Sequence, residues 1–196
     1  MKIPLAILGC TSLLLGQDWP SYSGNPGGSH YSALKQIHKG NTGKLRIAWT
    51  HRTGDLEPAS GNNRKAAFEA TPILVNGTLY LSTAFNRVIA LQPTTGERKW
   101  VFDPEIDRRR NYSEVTSRGV SYWLDRKAAR NSPCRERILL GTLDARLIAL
   151  DALDGKRCDG FGKGGQVDLG ESIGGVRFPG DYQVTSPPAI AGDVVV

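Results

Sequence analysis

The chain has 196 residues, 39 % of them hydrophobic, which is enough for one substantial core. Its formal net charge is +6, and the one basic cluster is Arg108-Arg109-Arg110. With no aromatics interleaved, that run reads as a solvated loop, so nucleic acid is excluded as a partner.

The first 17 residues form a signal-like segment: Lys2 is followed by the apolar runs Ile3–Leu8 and Ser12–Leu15. The segment is too short for a stable membrane anchor, and no later segment is apolar enough to cross a bilayer. Cys10 after Leu8-Gly9 resembles a lipoprotein box, but apolar residues continue past it, which disfavours a lipid anchor. A mature, exported chain is expected from about Asp18-Trp19 onward.

Asp18–Lys39 is rich in Gly, Ser, Tyr and Pro and reads as an irregular wrap. Lys44–His51 alternates Leu45, Ile47 and Trp49 at period two, which predicts a strand. Thr53–Ala67 is a polar loop. Ala70–Val75 and Thr78–Thr83 flank Asn76-Gly77, the strongest hairpin signal in the chain. Arg87–Gln92 and Arg98–Phe102 flank Pro93–Glu97 as a second hairpin, completing four consecutive antiparallel strands. Asp103–Pro133 is an insertion carrying a strand over Arg118–Leu124. Arg137–Thr142 and Leu147–Leu150 flank the turn Leu143–Arg146. Asp159–Asp181 is Gly-rich and expected to be irregular, and Ser186–Val196 begins another hairpin. No helix period stands out.

Two stretches repeat. VIALQPTTGERKW (Val88–Trp100) and LIALDALDGK (Leu147–Lys156) superpose Ala90 on Ala149, Leu91 on Leu150 and Gly96 on Gly155. Each is an apolar strand, a turn that needs Gly for positive φ, and the start of a return strand. Four-stranded units of this kind cannot bury both faces alone, so they stack radially as blades. The expected class is therefore all-β, the N-terminal blades of a β-propeller. The final AIAGDVVV stops on an unpaired apolar strand, which suggests that residues 18–196 are part of a longer propeller. Export permits a disulfide between Cys134 and Cys158, which flank the pair of strands around Ile138–Leu140 and Leu147–Leu150. Two buried free thiols are the alternative, but neither Cys lies inside an apolar run, and the bridge is the favoured reading.

The stretch Ala67–Pro104 resembles the first blade of the pyrroloquinoline quinone (PQQ)-dependent dehydrogenases, eight-bladed propellers of the bacterial periplasm that oxidise alcohols and sugars. The resemblance continues through SRGVSYW (Ser117–Trp123), GTLDARLIALDALDGK (Gly141–Lys156), CDGFGKGGQVDL (Cys158–Leu169) and VTSPPAIAGDVVV (Val184–Val196). Five motifs in the family's order make it specific. The CxxFGxxGxVDL pattern is similar to the membrane glucose dehydrogenase branch. The adjacent cysteines that methanol- and ethanol-type enzymes carry before RGVxYW are replaced here by Tyr112-Ser113-Glu114-Val115-Thr116. Asp159 stands where the second repeat would carry the family's blade-docking tryptophan, the position of Trp100 in the first.

The resemblance implies roles that the residues alone do not. By themselves, Glu69 is a strand-end carboxylate, Arg118 a surface ion-pair former worth at most about 1 kcal/mol, and Thr185 and Ser186 ordinary strand-start hydroxyls. In the family, Glu69 of the ExTP motif hydrogen-bonds the quinone. Arg118 of RGVSYW grips a cofactor carboxylate, for which a planar guanidinium is suited. Gly119 lets the backbone pass close to the ring, and Thr185, with Ser186 beside it, touches the cofactor's polar rim. Glu114 occupies a position where alcohol-oxidising relatives carry an acid and glucose enzymes a His, which lowers the expectation of glucose as substrate. Trp49 and Trp100 are expected to be core and docking residues, and His30, His38 and His51 lack metal-ligand spacing.

The implied reaction is hydride transfer from an alcohol, polyol or aldose to PQQ, with Ca²⁺ as Lewis acid and ubiquinone or cytochrome c as electron acceptor. The family's metal ligands and catalytic Asp are expected beyond Val196. A soluble or peripherally membrane-associated periplasmic protein follows. The competing readings are a non-catalytic propeller scaffold, similar to outer-membrane assembly lipoproteins, and a cell-surface binding propeller. Glu69, Arg118 and the CDGFGKGGQVDL insertion argue against both.

Overall fold

A computed structural model describes residues 17–25, 27–55, 66–175 and 180–196. All but the last residue of the signal-like segment, Cys10 included, lie outside the described residues. The Asn76-Gly77 signal is realised as a hairpin: β1 (Ile73–Val75) turns into β2 (Thr78–Ser82) through φ values of 47° and 67°. Two successive positive φ values are what a type I′ turn requires. β3 (Val88–Leu91) and β4 (Arg98–Phe102) complete a sheet in the order β1-β2-β3-β4, antiparallel throughout. A second sheet repeats the plan with β5 (Ser121–Leu124), β6 (Glu136–Gly141), β7 (Arg146–Asp151) and β8 (Gln166–Asp168). A further hairpin, β9 (Ile190–Ala191) and β10 (Val194–Val195), opens the next unit.

The sheets stack face to face, as the apolar strands demand. Ile73, Val75, Tyr80, Val88 and Ala90 of the first sheet pack on Ile138, Leu140, Ile148 and Leu150 of the second. The next residues along, Leu81, Ile89 and Leu91, point the other way and are covered by Trp49. On the far side of the second sheet, Leu139 and Ala149 meet Ile190 and Val195 of the third unit. All four residues of β3 are buried, because this sheet has a neighbour on each face. These are propeller blades.

The blades are locked by a repeated contact. Trp100 donates Nε1–H to the carbonyl of Ala152 at 3.1 Å and lays its ring over Gly155, where a β-carbon would lie 2.6 Å from the indole. Trp49 does the same one unit earlier, donating to the Pro93 carbonyl at 3.0 Å and covering Gly96, where a β-carbon would lie 2.5 Å away. Both glycines also take a φ above 70°. Each position thus needs Gly for its conformation and for the space.

Three expectations are corrected. Lys44–His51 is not a strand: Thr42–Lys44 is a short 3-10 turn, and Leu45 and Ile47 are exposed. Alternation alone does not make a strand, since its backbone groups need a partner, and among the described residues none runs beside it. Asp159–Asp181 is not wholly irregular, for it holds β8 and the single-turn helix α1 (Leu169–Ser172), N-capped by the Asp168 carboxylate accepting from Gly170 N–H at 2.8 Å. Asp159 does not occupy the docking position. Arg157 still pairs with Leu150, and Cys158 N–H donates to the Ala149 carbonyl at 2.9 Å. But Ala149 N–H donates to the Gly165 carbonyl at 3.0 Å and Ile148 pairs with Gln166, because the loop after Cys158, up to Gly164, is inserted before the fourth strand.

Cys134 and Cys158 are joined by a disulfide, with Cα atoms 5.6 Å apart. The bridge ties that inserted loop to the turn between β5 and β6. On the opposite edge of the sheets, the insertion after β4 folds back as a lid of its own. Ile106, Tyr112 and Val115 pack with Ala84, Phe85 and Leu143 from the β2–β3 and β6–β7 loops. Buried Asp55 fastens the lid: it accepts from Phe85 N–H at 3.2 Å and pairs with Arg87, and Arg108 lies 3.6 Å away, stacked on the Phe85 ring. The arginine run is therefore only partly a solvated loop. Arg109 is fully in solvent, whereas Arg108 is built into the fold.

Candidate functional site

Alternating strand direction brings the residues that precede β1, β5 and β9 to the same edge of the blades. Their backbones are stitched together there. Thr71 N–H donates to the Arg118 carbonyl at 3.2 Å, and Arg118 N–H donates to the Thr185 carbonyl at 2.7 Å. Gly119 sits at the crossing with φ 142°, and a β-carbon on it would come within 3.1 Å of the Thr71 carbonyl oxygen and 3.3 Å of Pro187. A side chain at this position would push the segments apart.

On this frame the side chains converge. Arg118 donates from Nη1 to Thr185 Oγ at 2.6 Å. Its Nη2 lies 3.2 Å from a Glu69 carboxylate oxygen and 3.1 Å from one of Glu114. All three charged side chains are about two-fifths to one-half exposed (40 % for Arg118, 39 % for Glu69, 48 % for Glu114), so the cluster is open to an incoming group. Its formal charge is one positive against two negative. Gln183 clamps the neighbourhood: it donates Nε2–H to the Glu114 carbonyl at 2.8 Å and accepts from Ser113 through both N–H and Oγ–H.

Glu69 and Arg118 line a cleft of about 920 Å³ between the innermost strands. Val120, Tyr122, Pro187 and Ile190 give it apolar walls, and Thr71 and Ser121 add hydroxyls. Ser21 lines the same cleft with a buried Oγ that no described residue hydrogen-bonds. An orphaned polar atom of this kind is normally satisfied by water or by a ligand. Tyr122 donates to Glu136 at 2.8 Å, and burial together with that bond to a carboxylate raises its pKa well above the ordinary value. It therefore remains a protonated donor. The cleft can accordingly hold a flat, oxygen-rich anionic group, with Arg118 as the strong cation among the described lining residues.

The structure thus brings together Glu69, Arg118 and Thr185, which are far apart in sequence. Neither Thr185 nor the exposed Ser186 is among the residues lining the cleft, and Thr185 joins the site through its bond with Arg118. Trp49 and Trp100 are docking residues. Among the described residues, no group of three or more His, Cys, Asp or Glu side chains is placed to hold a metal ion. Sequence reasoning missed Gln183 and Ser21. Neither carries a local signal, since each acquires its position from a segment remote in the chain.

Residues 19–196 match the family model described as PQQ: glucose/ethanol/alcohol dehydrogenase, β-propeller domain. The chain is 41 % identical over 185 residues to a quinoprotein glucose dehydrogenase of Escherichia coli, covering 92 % of this chain and 23 % of that protein. It is 36 % identical over 190 residues to quinoprotein glucose dehydrogenase A of Acinetobacter calcoaceticus, covering 91 % and 24 %. Among solved structures, the quinohemoprotein alcohol dehydrogenase of Comamonas testosteroni superposes with a TM-score of 0.67 at 29 % identity, over 91 % of this chain and 22 % of that one. The chain therefore spans under a quarter of the length of these relatives. A match that begins at Trp19 and runs to Val196, across blades packed as described, makes this chain a member of the PQQ-dependent glucose/ethanol/alcohol dehydrogenase β-propeller family.

Proposed function

We propose that the chain supplies one wall of the cofactor site in a periplasmic PQQ-dependent dehydrogenase that oxidises an alcohol, polyol or aldose. The observation that carries this reading is the convergence of Glu69 and Thr185 on Arg118, with Glu69 and Arg118 both lining one cleft. The site's donors suit the cofactor. Arg118 presents a planar fork for a carboxylate, Thr71, Ser121 and the orphaned Ser21 hydroxyl offer polar contacts, and the apolar walls accommodate a flat ring system. The chemistry such a group supplies when bound is acceptance of hydride from a CH–OH carbon, with Ca²⁺ as the Lewis acid. The part of this chain is to bind and orient. Arg118 holds the anion, Thr185 fixes Arg118 from behind, and Glu69 holds a polar edge.

Ubiquinone or cytochrome c is the proposed electron acceptor. The signal-like segment and the disulfide both support an oxidising, exported location. The names of relatives support the substrate class, since they include a glycerol dehydrogenase large subunit of Gluconobacter oxydans beside the glucose enzymes.

The test is titration of PQQ into the apo-protein with its propeller complete and Ca²⁺ in excess, followed by dye-linked dehydrogenase activity. Arg118→Ala should raise half-saturation by roughly 30-fold to several-thousand-fold, the usual loss when a charge partner is removed. Arg118→Lys should recover only part, because an ammonium cannot reproduce the fork. An unchanged half-saturation in Arg118→Ala would remove Arg118 from the site.

A further inference from the structure

Arg118 is over-subscribed. One nitrogen, Nη1, is taken by Thr185, and the other, Nη2, is shared by Glu69 and Glu114 at 3.2 and 3.1 Å. A carboxylate that grips guanidinium by two parallel hydrogen bonds needs an edge of the fork free. A polycarboxylate entering the cleft would also meet a cluster with an excess of negative charge. One resident acid must give way.

The two acids are not equivalent. Glu69 lines the cleft, four residues before β1, whereas Glu114 does not line it. Glu114 stands at the rim, on the insertion after β4, and is the most exposed member of the cluster. Its backbone is fixed by the Gln183 clamp, so its side chain can swing out without the loop moving. From this geometry, and resting on the cofactor reading above, we infer that Glu114 is a resident counter-ion. It occupies Arg118 in the ligand-free protein, and the ligand's carboxylate displaces it, so that Glu114 lowers the affinity for the cofactor.

The sign of the effect separates this role from others. A residue that holds the ligand, or that merely props Arg118, weakens binding when removed, whereas a displaced competitor strengthens it. Removing one negative charge a few ångströms from a bound carboxylate, at a half-exposed position, corresponds to about three- to tenfold tighter binding. Because the site is open to solvent, the gain should shrink to less than about twofold in 0.5 M salt, where the screening length is only a few ångströms.

The experiment is equilibrium titration of PQQ into the apo-protein with its propeller complete. Binding is followed by quenching of intrinsic tryptophan fluorescence at fixed excess Ca²⁺, at low and high salt. Glu114→Gln and Glu114→Ala should both bind more tightly than wild type at low salt and converge on it at high salt, with wild-type melting temperatures. Unchanged or weaker binding by both variants, in a wild-type background that binds and loses affinity with Arg118→Ala, would overturn the counter-ion role and leave the cofactor site standing. A folded wild-type protein whose fluorescence never responds to quinone would overturn the cofactor reading, and this inference with it.

Discussion

Gly155→Ala tests the blade lock with a single methyl group. The new β-carbon would stand 2.6 Å from the Trp100 ring, well inside contact distance, on a backbone held at φ 75°. The left-handed conformation alone costs a non-glycine residue about 1–2 kcal/mol. Moving the indole away also forfeits the bond to the Ala152 carbonyl, worth about 1 kcal/mol, and strains a packed interface by about 1–3 kcal/mol. The expected loss is about 3–6 kcal/mol. Trp100→Ala alone should cost about 3 kcal/mol, towards the low end for a large aromatic because the ring is only partly buried. In the double variant the methyl has nothing to strike, so Gly155→Ala should add only its backbone penalty, about 1–2 kcal/mol, to that of Trp100→Ala. Urea unfolding of the four proteins at fixed temperature measures the cycle. Strict additivity would mean that Gly155 and Trp100 do not share a contact, and the lock as described would be wrong.

Three further outcomes follow from the same structure. Reducing the Cys134–Cys158 bridge, or replacing Cys158 with Ala, should lower stability by about 3 kcal/mol, the loop-entropy value for a separation of 24 residues, measured by denaturant midpoint with and without reductant. Asp55→Asn leaves Arg87 and Arg108 facing a neutral group in a largely buried site. It should cost about 2–4 kcal/mol and raise protease sensitivity in the insertion after β4, which limited proteolysis would show. Burial pushes the Tyr80 hydroxyl up to about 12, while in the unfolded chain it ionises near 10, so the folded state holds its proton more tightly. That contribution is complete below pH 10 and is lost as pH rises towards 12, by up to about 2–3 kcal/mol. Tyr80→Phe should flatten the decline of urea midpoint over that window, and an unchanged slope would contradict the assignment.

What could be read from the sequence was whatever is local. Asn76-Gly77 dictates its turn through two positive φ values, and Val88–Leu91 and Leu147–Leu150 announce buried strands by their apolar runs. Lys44–His51 shows the same alternation as a strand yet lacks a partner, because pairing is a property of the neighbouring chain and not of the segment. β8 was hidden for the opposite reason: three residues after a run of glycines carry no period, and only the register with β7 defines them. The inserted loop at Cys158 broke the equal-spacing alignment that put Asp159 in place of the docking tryptophan. In the site, Glu69, Arg118 and Thr185 were found through motif resemblance, and their meeting follows from blade geometry. The attachment of Gln183 to Ser113 and Glu114 spans about seventy residues of chain, and Ser21 shares its cleft with residues from Glu69 to Ile190, separations at which no local pattern can register them.

The two tryptophan locks bear on how the site is held open. In each four-stranded sheet the first strand starts at the cleft and the fourth is farthest from it. Trp100 lies on β4 and Trp49 packs on the turn leading into β4, so both act at the perimeter while Arg118 and its partners sit at the hub. Each blade is a nearly rigid spoke, and the indole wedged against the next turn sets the angle between one spoke and the following one. A loosened wedge would therefore open or close a gap at the hub by leverage, altering the spacing of Glu69, Arg118 and Thr185 without touching any of them. Substitutions at Gly96 and Gly155 would then behave as changes of gauge in the binding cleft. Rim positions that look purely architectural thereby share in setting what fits at the centre.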